Sequence, residues 1–93
     1  MTPLNSTSAD FEQAALARFR SLAGFLPQDC RIFRESWGRS TVVCLDFVNC
    51  PHLFNIDKEQ ARSLSQAIAE LSLADSMIFR LGNKIVGWQK VTP

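Results

Sequence analysis

The sequence predicts an α+β domain of order helix-strand-strand-helix-strand-strand, with a four-stranded, mainly antiparallel sheet packed with two helices. Two observations lead there. Apolar residues recur at helical spacing in two separate segments, and each segment is followed by a pair of apolar runs joined by a short Gly-bearing link. In the second pair the link is Gly82-Asn83, set inside Met77-Ile78-Phe79-Arg80-Leu81-Gly82-Asn83-Lys84-Ile85-Val86-Gly87-Trp88. Two residues that tolerate positive φ between apolar runs mark a tight β-hairpin.

Residues 1–7 are polar with one Pro and are expected to form a flexible tail, leaving residues 8–91 as a single domain. Thr7 or Ser8 can cap the first helix, and Thr7 with Asp10 resembles a capping box. The helix is expected over residues 9–23, stopped by Gly24, with Phe11, Ala15, Phe19 and Leu22 as its core face. A connector with Pro27 and Asp29 leads to strands at about 30–36 and 41–49. An even-length link at Trp37-Gly38-Arg39-Ser40 puts Ile32 on one face with Val43, Leu45 and Phe47. Arg31, Phe33 and Glu35 then share the other face with Val42, Cys44, Asp46 and Val48. A three-residue loop would exchange the two sets, because a one-residue slip turns every side chain over.

Asp57 is a good cap for the second helix, and Ile56 before it can staple onto Ala61. Ala61, Leu64, Ile68 and Leu71 form its apolar stripe, and the helix is expected to stop near Ala74. In the final hairpin a two-residue loop sets Leu81 opposite Lys84, Phe79 opposite Val86 and Met77 opposite Trp88, which places Trp88 in the core. Gly87 inside that strand marks a bulge or a close backbone approach. Ile-Phe-Arg occurs at 32–34 and at 78–80, but Phe33 and Phe79 fall on different faces, so chance repetition is the better reading.

Composition narrows the function classes. Ninety-three residues, 46% of them hydrophobic, suffice for one core. Ten basic and nine acidic side chains supply no long-range field toward nucleic acid or membrane. No apolar run is long enough to span a bilayer, and the first residues lack the pattern of a signal peptide. Cys30, Cys44 and Cys50 are odd in number and two of them lie in expected strands among apolar residues, which suits reduced thiols and a cytoplasmic protein.

Sharp chemistries are weakly signalled. Cys44, Cys50 and His52 offer a Cys-x5-Cys-x-His run but no knuckle, so no metal site is assigned. Cys50 and His52 lie close in sequence without an evident group to orient the imidazole. With one His, no Tyr, no phosphate loop and no paired carboxylates, no catalytic or cofactor residue is assigned. Asp46, the one charge in its strand, is expected to pair with Arg31 across the hairpin.

The expected outer face carries Phe33, Val42, Cys44, Val48, Ile78 and Ile85, with Arg31, Glu35, Asp46, Arg80 and Gln89 as its polar members. That is more apolar surface than a small monomer shows to water, so either one helix packs on each side of the sheet or something else covers this face, and a second copy is the expected cover. Leu53 and Phe54, in the loop before the second helix, are further candidates for partner contact, although packing against the helices is the plainer role. The functional expectation is a non-catalytic protein-association domain, regulatory or adaptor in kind, homodimeric through Phe33, Val42, Cys44, Val48, Ile78, Arg80 and Ile85. The alternative is single-stranded nucleic-acid binding by Arg31, Arg34, Arg39, Arg80, Lys84 and Lys90 around Phe33, Trp37 and Trp88.

Overall fold

The computed structural model describes the backbone of residues 3–92 and the side chains of residues 10–92. Helix α1 (Pro3–Leu22) precedes strands β1 (Arg31–Trp37) and β2 (Ser40–Asp46). A single 3-10 turn (Pro51–Leu53) leads into helix α2 (Lys58–Glu70), followed by strands β3 (Ser76–Leu81) and β4 (Lys84–Lys90). The four strands form one sheet in the order β1-β2-β3-β4. Both hairpins are antiparallel, and the central pair, β2 with β3, is parallel. Helix α2 is the crossover that makes the central pair possible, because parallel neighbours need a connection that returns the chain to the starting end.

The first hairpin has the predicted even register. Ile32 lies opposite Leu45, Phe33 opposite Cys44 and Arg34 opposite Val43. Gly38 and Gly82 each take positive φ at the first position of a two-residue loop, and the residue after each does not. That pattern belongs to a II′ turn, whose twist matches that of the strands it joins.

The helix-side core is built from Phe19, Val43, Leu45, Phe47, Leu64, Ile68, Met77 and Phe79, all buried. Phe54 folds back onto it, its ring 5.1 Å from Phe47 and 5.9 Å from Phe79. In α2 the expected stripe holds, with Leu64 and Ile68 fully buried and Ala61 and Leu71 packed beside them. Asp57 caps this helix reciprocally with Gln60: the Gln60 N–H donates to Asp57 Oδ1 at 2.8 Å, and the Asp57 N–H donates to Gln60 Oε1 at 3.1 Å.

Several boundaries depart from expectation. Helix α1 begins at Pro3, so the tail expected over 1–7 overlaps it and the Thr7 and Ser8 cap positions lie within it; Met1 and Thr2 lie outside the described residues. Pro is well tolerated at a helix start, where its missing N–H has no intrahelical acceptor to lose. The core side of α1 is Ala15, Leu16 and Phe19, continued by Ala23 just past its end; Phe19 and Ala23 are buried and Ala15 and Leu16 partly so, whereas Phe11 and Leu22 are exposed. Helix α2 stops at Glu70, one turn before Ala74. Ser72 adopts φ 52°, the Ser72 N–H donates to Ala69 O at 3.1 Å, and the Leu73 N–H donates to Ile68 O at 3.0 Å. These bonds form a Schellman motif, with Ser in the position that Gly usually fills and Leu73 buried behind it.

The second hairpin corrects the predicted register. Leu81 lies opposite Lys84 as expected, but an irregularity between Phe79 and Arg80 sets Phe79 opposite Gly87, Met77 opposite Gln89 and Ile78 opposite Trp88. Val86 is the extra residue of a β-bulge, and the slip turns Trp88 out of the expected core and onto the outer face, exchanging it with Gln89. Gly87 is where the bulge meets Phe79: a Cβ there would sit 3.0 Å from Phe79 Cδ2. Both readings of this glycine, bulge and close approach, therefore hold.

Candidate functional site on the outer face of the sheet

The strand registers arrange the face away from the helices in rows. The middle row runs Phe33, Cys44, Ile78, Trp88 from edge to edge. One neighbouring row holds Glu35, Val42, Ser76 and Lys90, and the other holds Arg31, Asp46, Arg80 and Ile85. Val42, Cys44 and Ile78 are buried and form a second, smaller apolar cluster against Phe33. The edge aromatics thus flank an aliphatic centre.

That centre is closed from above by an ion pair lying across it. Glu35, on β1, reaches over β2 to Arg80 on β3, with Arg80 Nη1 3.3 Å from both carboxylate oxygens. Glu35 Oε1 also accepts from Trp37 Nε1 at 3.2 Å and from the Cys44 thiol at 3.5 Å. Arg80 Nε donates to Gly82 O at 3.1 Å, which ties the ion pair to the turn of the second hairpin. The Trp37 hydrogen bond is the main reason that the Glu35 carboxyl is held below the usual carboxylate range; Cys44 and Arg80 add to it, and burial opposes it. Burial first, and then the facing Glu35 carboxylate, push the Cys44 thiol up to about 11, so it is protonated and acts as a hydrogen-bond donor.

Asp46 does not pair with Arg31. The two are opposite each other in the register, but the Arg31 guanidinium lies over the Phe33 ring, 5.5 Å from its centroid. Asp46 Oδ1 instead accepts the Val48 N–H at 3.0 Å and the Gly82 N–H at 2.9 Å. The carboxylate is buried and serves two backbone donors, one local and one from the turn between β3 and β4. It fastens the end of β2 to the second hairpin, a structural role.

The predicted partner residues separate into three groups. Val42, Cys44 and Ile78 share the outer face as expected but are sealed by their own neighbours; Phe33 and Arg80 are half-buried at its surface. Ile85 is exposed on the same face, and Val48 is exposed beyond the end of β2, beside Gly82. Leu53 points outward from the 3-10 turn, whereas Phe54 belongs to the helix-side core. Trp88 and Trp37 join the outer face, and Trp88 was hidden from sequence reasoning because the bulge alone decides its side. Gly87 was the signal that could have found it.

The three thiols do not come together as a site. Cys44 lies on the outer face, Cys30 and Cys50 lie in the helix-side core, and His52 is exposed. Among the described residues no three His, Cys, Asp or Glu side chains are grouped to hold a metal ion. Burial, reinforced by Cys50, pushes the Cys30 thiol up to about 12, and burial also raises Cys50, so neither is poised as a nucleophile. No helix among the described residues is long and apolar enough to cross a membrane. Comparison with family models, with curated proteins and with solved structures found no match to this chain.

Proposed function

We propose that this protein is a non-catalytic association domain, regulatory or adaptor in kind, that forms a homodimer through the outer face of its sheet. The observation that carries the reading is the exposure of Trp88 (59%) and Ile85 (48%) beside a sealed aliphatic centre, with Trp37 (42%) at the far corner. Scattered exposed hydrophobics are ordinary; large ones bordering a single surface mark a place for a partner. A second copy can cover this surface without stranding a buried ion, because Glu35 and Arg80 already satisfy each other. A formal charge of +1 opposes self-association only weakly. One patch meeting itself about a twofold axis is the commonest arrangement in oligomers. Three free, buried thiols suit a reducing compartment, and the proposal places the protein in the cytoplasm.

Light scattering coupled to size exclusion at about 50 μM tests the reading, since dimerisation responds to concentration. The wild type should elute as a dimer, and Trp88→Glu should elute as a folded monomer with an unchanged circular dichroism spectrum. Ile78 is unsuitable for this purpose because it is fully buried within the monomer. A monomeric wild type, or a dimer that survives both Trp88→Glu and Ile85→Glu, would remove the support.

The emergence of Trp88 also favours a second reading. Trp88 shares its face with Arg31 and Lys90, and an aromatic ring among cations can stack a single-stranded base. Salt-dependent binding of mixed-sequence oligonucleotides, lost in Trp88→Ala, would establish it. No binding at low salt would dismiss it.

A further inference from the structure

A cleft lies away from the outer face, where α2 meets the end of β4. Its volume is about 390 Å³, and its lining includes Lys58, Arg62, Ser65 and Gln66 from α2, with Gln89 and Thr92 from β4 and the segment after it. The geometry points to an anion site for a small molecule bearing a multivalent oxyanion, a phosphate or a polycarboxylate.

The argument starts from the helix. Lys58 and Arg62 are one turn apart and face the same way, an arrangement of like charges that costs helix stability unless an anion relieves it. Neither is in an ion pair among the described residues, where the two pairs are Arg34–Glu12 and Arg80–Glu35. No acidic side chain lines the cleft, so nothing in the wall competes for the two cations. Gln66 continues the same helical face by one more turn, and Gln89 comes from β4, so amide donors flank the cationic end.

The far wall is built. Ser65 is buried, its Oγ accepts the Thr92 N–H at 3.0 Å and donates to Thr92 O at 3.4 Å, and this clamp holds the chain after β4 against α2. A guanidinium and an ammonium group lining one cleft with two side-chain amides make a donor set of the kind that a phosphate or a carboxylate cluster recognises. The site shares no residue with the proposed dimer surface, so each can fail without the other.

Titration calorimetry at low ionic strength with pyrophosphate, and separately with citrate, tests the assignment. Saturable one-to-one binding of either probe is expected, and the preferred probe tells a phosphate ligand from a polycarboxylate. The double variant Lys58→Gln/Arg62→Gln should weaken binding by about tenfold or more, the effect expected for losing charge-assisted hydrogen bonds. Arg39→Gln/Lys84→Gln removes the same charge elsewhere and should leave affinity unchanged. Ser65→Ala keeps both cations but loosens the wall, and should weaken binding measurably with the fold intact by circular dichroism. The assignment is overturned by no saturation up to ~10 mM, a range that already corresponds to negligible affinity, by equal weakening in the two double variants, or by unchanged affinity in Ser65→Ala.

Discussion

The two faces of the sheet are both closed to water at their centres, but by different means. On the helix side, Phe19 from α1 and Leu64 and Ile68 from α2 lie over Val43, Leu45, Met77 and Phe79, so a second layer does the covering. On the outer side there is no second layer among the described residues. The sheet covers itself with Phe33 and the Glu35–Arg80 pair, over Val42, Cys44 and Ile78. A layer of packed helix excludes water through many weak contacts that are costly to remove. A cover of long side chains seals the centre yet leaves its rim exposed, which is why Trp88 and Ile85 stand in solvent. The first arrangement holds the fold, and the second leaves large apolar side chains in solvent, the surface through which the proposed dimer would form.

The sharpest break in this comparison comes from the helix side. Phe19→Ala should lower stability by roughly 3–5 kcal/mol, the cost of truncating a buried aromatic and leaving a cavity. Urea denaturation would show it, and a loss below ~1 kcal/mol, the size of an ordinary surface change, would mean that α1 contributes little to the core. At the seam between the faces, Asp46→Ala should cost about 2 kcal/mol, because two backbone donors lose a charged acceptor. Asp46→Asn keeps an oxygen at the same place and should lose about half as much. Hydrogen exchange at the Gly82 and Val48 amides would quicken in the alanine variant, and unchanged protection would separate the carboxylate from the turn.

Gly87→Ala probes the bulge that sends Trp88 outward. The added methyl presses on the Phe79 ring, and a loss of about 1 kcal/mol is expected, the lower end of overpacking costs. Thermal denaturation reads it; a neutral substitution would show that the ring moves aside freely. The smallest effect belongs to the outer cover, where a partly exposed ion pair contributes little. The Glu35 carboxyl is lowered in the folded state, so its contribution is present above the ordinary carboxylate range and is lost as pH falls through the folded value. The stability difference between wild type and Glu35→Gln should therefore be largest at neutral pH and vanish in acid. A difference that grew on acidification would reverse the assigned direction.

Much of the fold was legible in the residues. The II′-compatible glycines, the Asp57 cap and the Leu64–Ile68 stripe act through neighbours a few positions away, so their chemistry can be read along the chain. The first hairpin's register follows from its two-residue loop for the same reason. The face of α1 was half legible: Ala15 and Phe19 fall on the core side as expected, but Phe11 and Leu22, which have the same spacing, are exposed, because what a helix buries depends on the surface beneath it; Leu16 and Ala23 complete the core side instead. Of the proposed association surface, Phe33, Ile78, Arg80 and Ile85 were placed on the right face, whereas the burial of Val42, Cys44 and Ile78 beside Phe33 and the Glu35–Arg80 pair needed side chains from three strands at once.

Taken alone, the chain determined its order of elements, both hairpin turns and the alternation that makes each face of the sheet apolar, because those depend on local dihedral preference and on period. Tertiary structure decided that β2 and β3 lie side by side in parallel, that Asp46 spends its carboxylate on Gly82, and that Trp88 faces outward. The physical reason is the same in each case. These outcomes turn on contacts between segments far apart in sequence, and a single extra residue at Val86 is enough to reverse a face that periodicity had assigned.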